Sequence, residues 1–483
     1  MTQSNTDKET AHAESPATVD VRAHLGIRFA EIEHRFAPPT PTKHSAPLGP
    51  GYGPSPVQLP SPWLPQDLRF SEDCLNLNLW APNAGTDHPV AVWLYGGGFE
   101  GGSNAMPQTN GSVLAAKGPM VIVSLNYRVG ALGFSYLADK GGSLKYATNL
   151  GIQDVIAGLQ WIKENIHTFG GDPSKVTVLG ESAGGFIAAA LAAAPSAKGL
   201  FQRLALFSGA ASRLVPVDQA KRQTEILLGA LNISGMHDDL LQRPAQDILA
   251  AQRSFIAKDI GARNGAVPQA LGVVLDAGEP HAVLHKHPLE AFRSGELADI
   301  PILVSSTQDE ITSFRNFDKA AFDPESGNAL QREMKDWGIP ADRIPSLYNH
   351  YSEKKSESPG TAKERMLTDW IYRLPAARLA QAQAMAGGSA HLAAISRVDA
   401  RPAGHGCDVN AIFGIPAPAE TPAEQARRSS ITEAVAAFVT TGKPGWPAAT
   451  TSDLHAFSFG DQGSDATADY TQMLELWDGI SRP

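Results

Sequence analysis

Cysteine is nearly missing from this chain. Only Cys74 and Cys407 occur in 483 residues, so a disulfide framework is excluded, although a single bridge between the two stays open. No uninterrupted apolar stretch is long enough to span a bilayer, which argues against a membrane protein. Basic runs are lacking as well. Lys+Arg number 40 against 50 Asp+Glu, a formal charge of −10, and nothing stands ready to neutralise a nucleic-acid backbone. The opening residues, "MTQSNTDKETAHAESPATVD", lack the apolar core of a secretion signal. Residues 1–20 read as a disordered polar tail, and the chain reads as a reduced, cytoplasmic protein.

What is present is enough apolar sequence, 42% of residues, to bury a large core. Residues 40–65 are rich in proline and glycine and form a long irregular loop. Beyond them, short apolar runs alternate with helical patterns. Strands are predicted at residues 90–94, 120–125, 176–179, 204–207, 300–304 and 392–398, each bounded by Gly, Pro or Asp. Their lack of strict alternation suits a parallel sheet covered on both faces. Residues 154–166 and 186–194 read as helices, the second alanine-rich and stopped by Pro195. The pattern predicts a doubly wound α/β domain over residues 21–483, with ligands bound beyond the carboxyl ends of its strands. Two mostly helical stretches, about 214–280 and 311–390, interrupt the rhythm and are expected to cover that edge.

Two glycine-rich turns carry the chemistry. The first, "LYGGGFEGGS" at 94–103, follows a strand and presents bare backbone, suited to a phosphate cradle or an oxyanion hole. No Lys-Ser/Thr follows Gly96–Gly102, which disfavours a P-loop. The second is "GESAGG" at 180–185, a Gly-x-Ser-x-Gly pentapeptide between a strand and a helix. In that context Ser182 sits on a sharp turn with its hydroxyl lifted from the sheet, ready to act as nucleophile. A serine needs a base and an orienting carboxylate, so a histidine and an acid must follow. The backbone N–H of Ala183, next after the nucleophile, is one expected oxyanion donor.

Four segments in order, "SEDCLNLNLWAP" (71–82), "VWLYGGGFEGGS" (92–103), "VSLNYRVGALGF" (123–134) and "NLGIQDVIAGLQWIKENIHTFGGDPSKVTVLGESAGG" (149–185), resemble the type-B carboxylesterases, the cholinesterase-like branch of the α/β-hydrolases. The resemblance is dense from Ser71 to Gly209 and continues in islands such as "TGKPGWP" (441–447). It implies a mostly parallel central sheet and a Ser–Glu–His triad that works without cofactor or metal. Glu310 in "STQDEITSF" matches the family acid, with Ile311 where glycine is usual and Asp309 as the alternative. His405 in "ARPAGHGCDVNAIFG" matches the base, and Gly97 and Gly98 match the other two oxyanion donors. Glu181 resembles a near-site carboxylate, or else a helix-start acid. Ser208 resembles a serine that supports the acid, or else begins a turn.

The resemblance also implies a buried Arg128–Asp154 ion pair, a loop-bonding role for Asn126, and Tyr95 bracing the glycine loop. Three departures stand out. No cysteine precedes Cys74 to pair with it, and the arginine that the family usually places after the element matched by "GIRFAEIEHRFAPP" (26–39), as partner of Glu72, is not apparent. Trp63 lies near where cholinesterases place a cation-binding tryptophan, but 7% aromatic content does not support an aromatic-lined gorge. Cys407 reads as a packing residue. His281, His285 and His287 lie close together without the spacing of a metal site and read as a solvated surface.

The expected activity is cleavage of small or medium carboxylic esters through an acyl-enzyme, with a small-molecule ester as the partner. The same triad would serve a carbamate or amide hydrolase. A non-catalytic, neuroligin-like binding protein is the third alternative, and the retention of Ser182, Glu310 and His405 together counts against it.

Overall fold

The computed structural model describes residues 19–43, 46–234, 238–256, 271–352, 358–460 and 470–480. The tail expected at 1–20 lies outside them except for its last two residues. Nine strands form the main sheet: β1 (Val21–Arg28), β2 (Asn76–Pro82), β3 (His88–Leu94), β4 (Val121–Leu125), β5 (Gly171–Glu181), β6 (Arg203–Phe207), β7 (Ile302–Thr307), β8 (Ala390–Ile395) and β9 (Phe457–Phe459). Their spatial order is β1-β2-β4-β3-β5-β6-β7-β8-β9. Every neighbouring pair from β4 to β9 is parallel, while β2 runs antiparallel to both β1 and β4. Every residue of β4, β7 and β8 is buried, which is why their apolar residues do not alternate with exposed polar ones.

All six predicted strands are present. The helix expected at 154–166 starts earlier, at Leu150, where Asn149 in a left-handed conformation begins the turn. The alanine-rich helix likewise begins earlier, at Ala183, directly after Ser182.

The stretch from 214 to 280 contains a two-stranded parallel ribbon, Leu214–Pro216 with Val273–Leu275, besides the helices Val217–Ala230 and Ala245–Gln252. The second stretch ends differently from its expected boundary. Its last helix, Leu374–Met385, is the crossover between β7 and β8 and packs on both strands. A one-turn π-helix, Asp369–Arg373, leads into that helix. Beneath the sheet edge, Arg128 forms the implied ion pair with Asp154, at 2.6 Å and 2.8 Å through Nη2 and Nε, with both side chains buried. Among the described residues, no helix is long and apolar enough to cross a membrane.

Candidate active site

Five strands end on one cavity. β5 delivers Ser182, which caps the helix Ala183–Ala190 at φ 52°, ψ −121°, a strained conformation for a residue with a side chain. The turn closes only because glycine flanks it. A Cβ on Gly184 would lie 2.0 Å from the Leu94 carbonyl oxygen of β3. The Ser182 N–H donates to Phe207 O on β6 at 2.9 Å, and the turn is thereby fixed from the neighbouring strand.

Beyond β8, the loop reaching residue 405 brings the His405 ring over the sheet edge. The Ser182 hydroxyl lies 2.8 Å from Nε2, and the Glu310 carboxylate lies 2.6 Å from Nδ1. An Nδ1–H that donates to Glu310 leaves Nε2 as an acceptor for the serine proton. Glu310 follows β7 and is fully buried. Its other oxygen accepts from the Ser208 hydroxyl and from the Thr307 N–H, both at 2.7 Å. Asp309, the alternative acid, faces away. It pairs with Arg397 at 2.6 Å and 2.8 Å and accepts from the Ala403 N–H, so it anchors the histidine loop.

The glycine loop after β3 faces Ser182 across the cavity. Gly97 has φ 126°, and a Cβ there would strike Gly101 O at 2.2 Å, so no other residue fits. Among the described residues, no acceptor takes the Gly97 or Gly98 N–H. Ala183, first in its helix, has no intrahelical acceptor either. Behind the loop, Tyr95 and Tyr127 stack at 4.4 Å and exchange hydroxyl–carbonyl hydrogen bonds of 2.9 Å and 2.6 Å. Tyr95 thus braces the loop as expected.

A profile of the Carboxylesterase family matches residues 9–477. The chain belongs to the carboxylesterase family. It is 37% identical to para-nitrobenzyl esterase of Bacillus subtilis (strain 168) over 65% of this chain and 61% of that protein. With fumonisin B1 esterase of Sphingopyxis macrogoltabida the identity is 34%, over 65% of this chain and 58% of that one. The matched region therefore spans about three fifths of either relative. A solved carboxylesterase of Geobacillus stearothermophilus aligns with a TM-score of 0.81 at 30% identity, covering 95% of this chain and 96% of that one.

In this carboxylesterase-family site three carboxylates surround one imidazole. Burial pushes the Glu181 carboxyl up to about 8, reinforced by Asp408 and Glu310 and opposed by His405. Its Oε1 lies 3.4 Å from His405 Nε2. Asp408 is fully buried, and neither of its carboxylate oxygens has a hydrogen-bond partner among the described residues. Burial, then Glu310, pushes its carboxyl up to about 6. For His405, burial alone would lower the pKa. The carboxylates of Glu181, Glu310 and Asp408 outweigh it and hold the ring above its ordinary value.

One sequence expectation is corrected. Glu72 does have an arginine partner: Arg35, whose Nε donates to Glu72 at 2.6 Å. Their separation by 37 positions and the weak match of the N-terminal segment, which contains Arg35, hid the pair. Cys74 and Cys407 are both free. His287 is not simply solvated, since its ring accepts the Leu289 N–H at a helix start, while His281 rests against Tyr146. Trp63, half-exposed, lines the cavity beside Gly97 and Gly101. Sequence reasoning missed Phe314 and Tyr372, whose rings lie 5.3 Å and 4.9 Å from that of His405. Phe314 stands four residues beyond Glu310, on the helix Thr312–Phe317 that follows it, a proximity that could have flagged it. Tyr372 carries no such signal.

Proposed function

We propose that this protein is a serine hydrolase that cleaves carboxylic esters through an acyl-enzyme. The observation that carries the reading is the position of His405, 2.8 Å from the Ser182 hydroxyl and 2.6 Å from the buried carboxylate of Glu310. In the proposed cycle, His405 Nε2 takes the hydroxyl proton as Ser182 Oγ attacks the ester carbonyl carbon. Glu310 holds the ring in the needed tautomer and stabilises the imidazolium. The carbonyl oxygen becomes an oxyanion that accepts hydrogen bonds from the N–H groups of Gly97, Gly98 and Ala183. Such a donor is worth about 3 kcal/mol of barrier.

Collapse of the tetrahedral species breaks the bond to the alkoxy oxygen, and Nε2–H protonates the departing alcohol. Water then attacks the acyl-serine, with Nε2 again accepting the proton, and the acid leaves as Ser182 is restored. The cavity, about 810 Å³, accepts small to medium esters. A cytoplasmic setting belongs to the same reading and is supported by the two free cysteines.

Partitioning tests the covalent intermediate. With phenyl butyrate and p-nitrophenyl butyrate in aqueous methanol, one shared butyryl-enzyme must give one ratio of methyl butyrate to butyrate. Ratios that depend on the leaving group would contradict it.

A further inference from the structure

The cavity holds a cation that the ester cycle does not use. Arg213 follows β6 on the loop from Ser208, is only 5% exposed, and lines the same cavity as Ser182 and His405. Its backbone takes φ 58°, an uncommon conformation for a residue with a side chain. The guanidinium lies over the faces of Phe99 and Phe186, with Cζ 5.1 Å and 6.0 Å from the ring centroids. Its Nε makes no hydrogen bond, and no carboxylate among the described residues pairs with it. Glu181, which shares the cavity, is directed at His405 instead.

Buried guanidinium groups are ordinarily paired, because desolvating a charge is costly unless a partner compensates. Here the open side of the group is the substrate cavity. Tyr372 stands between Arg213 and the imidazole: it interacts electrostatically with the guanidinium, and its ring lies 4.9 Å from that of His405. The leaving alcohol must sit beside His405 to receive its proton, so the guanidinium faces the acyl portion. A planar fork of this kind matches a carboxylate.

We propose that Arg213 is a specificity-determining residue that binds a carboxylate on the acyl portion of the substrate, so that monoesters of dicarboxylic acids are preferred over neutral esters. The proposal rests on the reading of Ser182 as the nucleophile. Its test compares kcat/KM for methyl hexanoate and for the monomethyl esters of succinate, glutarate, adipate and pimelate, followed by pH-stat.

The charged series should exceed the neutral ester by about 30-fold or more at its best chain length. In Arg213→Met that ratio should collapse to near one, and Arg213→Lys should restore part of it. Arg253→Met, at the cavity mouth, should keep the preference. Calorimetry of monomethyl adipate with Ser182→Ala reads the arginine without hydrolysis: this variant should bind the monoester, and Ser182→Ala/Arg213→Met should not. Binding without turnover of any ester by the wild type would sink the hydrolase reading and leave the carboxylate site standing. A neutral ester favoured at every chain length, or a preference that survives Arg213→Met or follows Arg253 instead, would overturn the proposal.

Discussion

The glycine turns at the sheet edge and the side chains that line the rest of the cavity are built by different physical means. At the edge, each feature is a backbone necessity confined to a few residues. The turn at Ser182 and the loop at Gly97 exist because a Cβ at Gly184 or Gly97 would collide with main-chain atoms. Arg213, Phe314 and Tyr372 reach the cavity instead through side-chain packing between segments far apart in the chain. The serine turn and the glycine loop are thus local features, whereas Glu310, His405 and the side chains proposed to set substrate preference meet only in the fold.

The comparison can be broken first at the edge. Ser182→Ala should lower hydrolysis of p-nitrophenyl acetate by about 10⁴-fold or more while the fold persists; residual activity within tenfold of wild type would remove the serine from the mechanism. Next in size, Glu310→Gln should cost on the order of 10³-fold or more in kcat, because the amide cannot stabilise the imidazolium. Asp309→Asn should stay within about tenfold, since its partner Arg397 is half exposed and the pair acts only on the loop. The reverse ranking would reassign the acid.

Beneath the same edge, Asp154→Asn should destabilise the protein by about 3–5 kcal/mol in urea unfolding, because it leaves Arg128 buried with its charge uncompensated. Among the lining side chains, Phe314→Ala should reduce kcat/KM by about tenfold at most, through looser placement of the His405 ring. A loss as large as that of Glu310→Gln would erase the distinction between the two kinds of feature.

Acidity gives the subtlest contrast. If His405 is the base it must be neutral, so activity should rise as pH passes upward through its pKa. Neighbouring carboxylates raise that value against the opposing effect of burial, so the midpoint of the kcat/KM limb should lie above 6.5. A midpoint below 6 would mean that burial wins.

Legibility in the sequence followed the same division. All six predicted strands and Ser182 on its turn could be read from short segments, and Glu310 and His405, which lie beside it in the fold, were singled out by the family resemblance. The Arg35–Glu72 pair could not, because its members lie on separate segments and meet only after folding. Nor could Arg213: in "GAASRLVP" nothing distinguishes it from a surface arginine until its burial against Phe99 and Phe186 is known. Asp408, three residues from His405, was within reach of inspection, but its burial without a hydrogen-bond partner among the described residues is a property of the packed site.

The central claim, that Ser182 attacks and is transiently acylated, has a direct measurement. Diethyl p-nitrophenyl phosphate should transfer its diethylphosphoryl group to Ser182 Oγ with release of p-nitrophenolate. Peptide mass spectrometry should then find one added diethylphosphoryl group on the peptide containing Ser182, in step with loss of activity and absent from Ser182→Ala. Inactivation with the label on any other residue, or full activity after Ser182 is labelled, would contradict the account.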